Sequence, residues 1–217
     1  MDAEMHGSGC MRWLKRIGLA VLGVTALLAV AYPLGLRQWQ MTWGATAEEV
    51  SMPLAGDDAI PSPQRQTTRA ITIAAPPEQV FPWLTQLGAG RAAFYSHTWL
   101  EQLIGCPLTN GERVVPEWQL RVGDVVRMCP EGTGPPFAYV VKEVTPPNAL
   151  VLAIEENGRP ATTWAFALRP REGGTRLVAR NRTAVEQGWQ EVIEPGVMVM
   201  ERGLLHGLKA RAERSVR

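Results

Sequence analysis

The chain has 217 residues, 46% of them apolar and 20% charged, which is a globular balance with enough length for one domain plus extensions. A formal net charge of +1 leaves no surplus of Lys and Arg to neutralise a phosphate backbone, so a nucleic-acid partner is excluded from the readings that follow. No GxSxG, P-loop, dinucleotide fingerprint, HExxH or Cys/His cluster occurs, which argues against hydrolase or metal chemistry and against a cofactor.

In chain order, residues 1–11 form an N-terminal tail. Residues 12–36 read as a transmembrane anchor, because Ile17 to Leu36 carries no charge and is long enough to cross ~30 Å of hydrocarbon. Arg12, Lys15 and Arg16 before it place the N-terminus in the cytoplasm and the rest of the chain outside. A cleaved secretory leader ending at Ala29-Val30-Ala31 is the alternative, and it also exports the domain as a secreted protein.

Residues 37–66 read as a juxtamembrane tether. It is rich in Pro and Gly, Thr46-Ala47-Glu48-Glu49 resembles a capping box, and Trp43-Gly44-Ala45-Thr46 either packs on the domain or rests at the bilayer surface. The domain proper spans 67–217. Ile71 and Ile73 alternate in a first strand, Pro76 to Leu87 forms a helix with Val80, Trp83, Leu84 and Leu87 inward, and Ser96 caps a second helix with Trp99, Leu100, Leu103 and Ile104 inward.

From Pro107 onward the period falls to two. Strands are expected at 122–129, 137–145, 149–156, 161–169 and 175–185, joined by turns too short for a crossover helix, hence an antiparallel meander. In the last strand Arg176, Arg180 and Arg182 share a face expected to be wet, while Leu177, Ala179, Asn181 and Thr183 face inward. The chain closes on an amphipathic helix from Pro195-Gly196 to about Arg214, with Val197, Met200, Leu204 and Leu208 on one side and Glu201 among them. A carboxylate in that stripe is paired, protonated or turned into a cavity.

Strand, two short helices, meander and long C-terminal helix is the element order of the helix-grip fold. The chain resembles the START-like or SRPBCC superfamily, which includes polyketide cyclase-like and Bet v 1-like proteins. Within it the chain is similar to a membrane-anchored bacterial branch, through Trp43-Gly44-Ala45-Thr46, Gly90-Arg91-Ala92-Ala93-Phe94-Tyr95-Ser96, Trp99 to Gly105, Arg113 to Trp118 and Met200-Glu201-Arg202. Ala92-Ala93 stands where the branch pattern has Gly-Gly. The resemblance implies an α+β fold whose curved antiparallel sheet wraps the last helix, with a cavity between them for a hydrophobic small molecule or lipid.

The candidate ligand-binding residues are Glu201, Asn181, Thr183, Tyr95, Trp99, Trp164, Met200 and Leu204. Glu201 is either an anchor or acid for a ligand or half of an ion pair with Arg69, Arg91 or Arg127. Three functions follow: binding or transfer of an apolar ligand near a membrane; a cyclase or dehydratase using Glu201 with Tyr95 or His97; or a non-catalytic interaction domain docked through the arginine face. Cys106 and Cys129 are either a disulfide or two separate thiols, and Cys10 lies apart from them.

Overall fold

The computed structural model describes residues 4–185 and 188–215, which fall into two units dividing after Gln40. The first unit holds helix α1 (Glu4–Ala31), a π-helical turn (Tyr32–Leu36) and helix α2 (Arg37–Met41), whose last residue already belongs to the second unit. Pro33 lies in that turn and has no backbone N–H to give to the α-helical ladder. The expected spanning helix is therefore corrected: among the described residues no helix is long and apolar enough to cross a membrane. The charge-free α-helical run from Ile17 to Ala31 is roughly 22 Å long at ~1.5 Å per residue, short of the ~30 Å hydrocarbon core.

In the second unit, helices α3 (Ala47–Ser51), α4 (Pro77–Leu84), α5 (Thr98–Leu103) and α6 (Gly188–Arg214) accompany strands β1 (Arg65–Ile73), β2 (Val125–Arg127), β3 (Ala138–Thr145), β4 (Ala149–Glu156), β5 (Arg159–Arg171) and β6 (Gly174–Thr183). The strands form one antiparallel sheet in the order β1-β6-β5-β4-β3-β2. Helix α6 packs against β1 and α4. This is the α+β helix-grip arrangement, and its main core joins Ile71, Ile73, Leu150, Leu152, Phe166 and Leu177 from the sheet to Leu204, Leu205 and Leu208 from α6.

Residues 42–66 do not run free as a tether. The Trp43 carbonyl accepts the Ala70 N–H of edge strand β1 at 3.1 Å, and Trp43 packs on the core. Gly44, at φ 73°, comes so close to β1 that a Cβ there would overlap the Ala70 carbonyl. Thr46 and Glu49 close the capping box at 3.1 and 2.8 Å and start α3.

This segment covers the face of β6 expected to be wet. Arg180 is 1% exposed, and its guanidinium donates to Asp57, to the carbonyls of Glu49, Val50 and Met52, and to Thr68. Arg176 pairs with Glu49 at 2.6 Å and Arg182 with Asp57 at 3.0 Å. Strand alternation gives two faces but does not say which is covered; here residues 46–60 cover the second and pair with its arginines.

Helix α5 turns out opposite to expectation. Trp99, Leu103 and Ile104 are 65%, 75% and 52% exposed, and Glu101 is the buried residue. Among the described residues neither Glu101 carboxyl oxygen has a hydrogen-bond partner, and burial pushes its carboxyl up. A folded-state pKa above the unfolded one makes the group most favourable below ~4.3, with that contribution lost as pH rises through the folded value. Glu101→Met is accordingly expected to raise stability at pH 7 by about 1–3 kcal/mol and to flatten the decline above pH 4, as read by urea denaturation across that range. Ser96 does not cap α5; its hydroxyl donates to the Met200 carbonyl at 2.7 Å.

Cys106 and Cys129 form a disulfide with Cα atoms 5.0 Å apart, which ties the end of α5 to the segment after β2. The Cys10 side chain lies outside the described residues.

Candidate functional site

The concave face of the sheet is set by register. Trp164 lies opposite Asn181, Asn181 opposite Thr67, and Arg69 opposite Ala179, which places all of them on the side facing α6. Helix α6 begins seven residues before the expected start, at Gly188, and carries Pro195 in its first turns. Its inward stripe is Glu194, Met198, Glu201, Leu205, Leu208 and Ala212; Val197, expected inward, is 41% exposed.

Glu201 is 4% exposed and fully engaged. Arg69 donates to Oε2, while Trp164 Nε1 and Asn181 Nδ2 donate to Oε1 at 3.2 and 3.3 Å. A second pair sits two helical turns earlier, where the 1% exposed Glu194 faces Arg65 at 3.8 Å. Two Arg–Glu pairs thus hold the N-terminal half of α6 against β1. Charge-assisted bonds of this kind repay the desolvation of both ions only when geometry is good, and they make the wall discrete instead of slippery.

Around this polar set the lining is aromatic. Trp164 lies 4.8 Å from Phe166, 5.7 Å from Tyr139 and 6.4 Å from Phe94, centroid to centroid. Burial, then the negative charge of Glu201, pushes the Tyr139 phenol well above its ordinary range, with Arg65 opposing. Tyr139 is therefore a neutral hydroxyl at physiological pH. Tyr139 and Asn181 are half-buried while Glu201 and Trp164 are buried, so solvent reaches the polar end of the concave face before it reaches the carboxylate.

The other expected residues separate into three groups. Leu204 is buried in the core, and Thr183 is buried with its hydroxyl accepting from Arg65 at 3.5 Å, both on this side of the sheet. Met200 is half-buried, one position off the stripe, with its sulfur 3.7 Å from Ser96 Oγ. Trp99 is exposed on α5 and belongs to no inner wall. Tyr95 is buried away from Glu201: its hydroxyl donates to the Trp83 carbonyl at 2.9 Å and accepts from Gln86 at 2.8 Å.

A proton-transfer set of Glu201 with Tyr95 or His97 is therefore not assembled. Sequence reasoning also missed Glu194, Arg65 and Tyr139. Glu194 stands seven residues before Glu201, two helical turns on the same face, and that spacing was the available signal. Reading Pro195 as the helix start placed it outside the helix.

Two surface cavities accompany the inner site. One of about 280 Å³ lies on the outer side of the sheet among Asp58, Lys142, Glu143 and Glu155. The other, of about 560 Å³, lies between α6 and residues 95–97. Among the described residues no group of three or more His, Cys, Asp or Glu is placed to hold a metal ion.

Comparison with known proteins gives partial likenesses to solved structures and one family match. Among solved structures, protein MLL2253 from Mesorhizobium loti is 16% identical, with 70% of this chain and 98% of that one covered at a TM-score of 0.44. Protein NE0264 from Nitrosomonas europaea is 19% identical, with coverage of 76% and 99% and a TM-score of 0.45. The Aha1 dimer from Colwellia psychrerythraea is 16% identical, with coverage of 68% and 98% and a TM-score of 0.41. No curated protein matches the sequence. The model of one family, described as polyketide cyclase / dehydrase and lipid transport, matches residues 64–213, from the start of β1 to the last turn of α6, and this chain belongs to that family.

Proposed function

We propose that the domain binds, and passes on, a hydrophobic small molecule or lipid held between the concave face of the sheet and α6. The observation that carries this reading is the set formed by buried Arg69, Glu201 and Trp164 with half-buried Asn181 inside an otherwise aromatic wall. An apolar body packs on Trp164, Phe166, Phe94 and Tyr139, and its one polar end hydrogen-bonds Asn181 or the neutral Tyr139 hydroxyl. The N-terminal half of α6 is the wall that moves, since Arg65–Glu194 and Arg69–Glu201 are discrete latches between it and β1.

Binding is favoured over a cyclase or dehydratase reaction because Glu201 already has three donors and neither Tyr95 nor His97 is among them. The Cys106–Cys129 bond supports a domain that works in an oxidising compartment outside the cytoplasm. Native mass spectrometry of the full chain, purified from its own cells without denaturation, is expected to show a co-purifying apolar molecule. Asn181→Leu is expected to lose it. A wild-type protein that arrives empty and takes up nothing from a total lipid extract sinks the reading.

A further inference from the structure

The larger surface cavity has a construction of its own and shares Met198 with the inward stripe of α6. Its floor is the backbone of α6 at Gly203 and Gly207. A Cβ at 203 would come within 2.6 Å of Ser96 Oγ and 2.9 Å of His97 Cδ2, and one at 207 would overlap the Tyr95 carbonyl. Residues 95–97 therefore lie directly on the helix. Tyr95 holds φ 54°, a conformation that bulky residues seldom adopt, and the Trp83 and Gln86 bonds to its hydroxyl keep it there.

Its lining is divided by chemistry. Met198 and Val199 make an apolar end, while His97, Arg202 and His206 bring basic groups, and no carboxylate lines it among the described residues. Trp43 fixes the basic end from below: the Arg202 guanidinium sits 5.0 Å from its ring centroid and the His206 ring 5.5 Å away. The nearby Lys209 is already committed, to Glu213 at 2.8 Å and to the Thr72 carbonyl at 2.6 Å. A volume of about 560 Å³ is within the ordinary range for a small-molecule site.

We propose that this groove binds a single-chain amphiphile with a carboxylate head, a free long-chain fatty acid, with the head on Arg202 and His206 and the chain along Met198 and Val199. The planar guanidinium fork matches a carboxylate, and its stacking on Trp43 holds it ready at little entropic cost. His206 faces Trp43 from the segment before β1, Arg202 and Lys209 from its own helix, and His97 across the groove, while Glu213 pairs with Lys209. Burial, then the charges of Arg202 and Lys209, holds its pKa below the ordinary imidazole value. An arriving anion offsets those charges, so binding takes up a proton and tightens as pH falls through the range where the occupied His206 titrates.

Isothermal titration of the full chain with laurate is the test, with decanesulfonate as the head group that does not itself titrate. Laurate is expected to bind, dodecanol to bind at least ~10-fold more weakly, and Arg202→Glu to lose roughly tenfold or more. Decanesulfonate affinity is expected to rise several-fold from pH 7.5 to 6.0, and His206→Asn to abolish that rise. Asn181→Leu, which alters the inner site, is expected to leave the Arg202-dependent part of laurate binding unchanged. Absence of binding, equal affinity for dodecanol, or an unchanged affinity in Arg202→Glu overturns the inference. If Asn181→Leu abolishes laurate binding while Arg202→Glu does not, the fatty acid sits in the inner site; this inference then falls and the proposed function stands.

Discussion

Replacing Arg69 by methionine is expected to cost about 3–5 kcal/mol of folding free energy. The change leaves the Glu201 carboxylate, 4% exposed, with only Trp164 and Asn181 as donors and no countercharge. The aliphatic stem is nearly retained, so packing is not the main loss. Replacing both members, as Arg69→Met with Glu201→Met, is expected to recover most of the loss, because a buried ion pair gains little over well-packed apolar groups once both desolvation costs are gone. Urea denaturation followed by tryptophan fluorescence gives the cycle. Losses that simply add across the two variants would mean that Arg69 and Glu201 do not act as a pair. Binding separates structure from function here, since the double variant keeps the fold but loses the polar anchor beside Asn181.

Arg180→Met is expected to cost a similar ~3–5 kcal/mol, for a different reason. Arg180 is the pin through which residues 46–60 are held on the outer face of β6. Without it Asp57 keeps only Arg182 as a cationic partner, three backbone carbonyls lose a charged donor, and Thr68 loses its guanidinium neighbour. The expected signature is local before it is global: limited proteolysis cuts between residues 46 and 60 at urea concentrations where the tryptophan fluorescence of the core is still native. Cleavage that appears only with global unfolding would show that the segment is held by something else, such as Leu54 packing on Ala70 and Val178.

The two variants act on opposite faces of one sheet, and this separates what periodicity reveals from what it cannot. Alternation in β5 and β6 put Trp164, Phe166, Asn181 and Thr183 on one side, and the register bears that out. It also put the arginines together on the other side. It carried no information about residues 46–60, whose contacts with β6 span more than a hundred positions in sequence. The capping box at Thr46 and Glu49 was legible because both partners lie within one turn.

Helix α5 shows the reverse failure. Trp99, Leu103 and Ile104 make a stripe that amphipathic reasoning turns inward, yet the Cys106–Cys129 bond and the packing of residues 95–97 on α6 flank this short helix and leave it with Glu101 inside. Six residues bury too little area to choose their own face. In α6 the misplaced acid was visible and Arg69 was one of three cations weighed for it. Glu194 and its Arg65 partner stayed hidden behind Pro195, because a proline fits the first turn of a helix and does not by itself mark the first residue.

The sequence by itself determined the element order, the antiparallel meander, the inward face of β5 and β6 and the anomaly of Glu201, since each rests on a local period or a turn. Only the tertiary structure decided that Arg69 answers Glu201, that the segment from Trp43 to Ile60 packs on the sheet, and that Gly203 and Gly207 open a basic groove beside Trp43. Each of these depends on which surfaces meet across long stretches of chain, and a pairwise contact between distant residues leaves no periodic trace in either one.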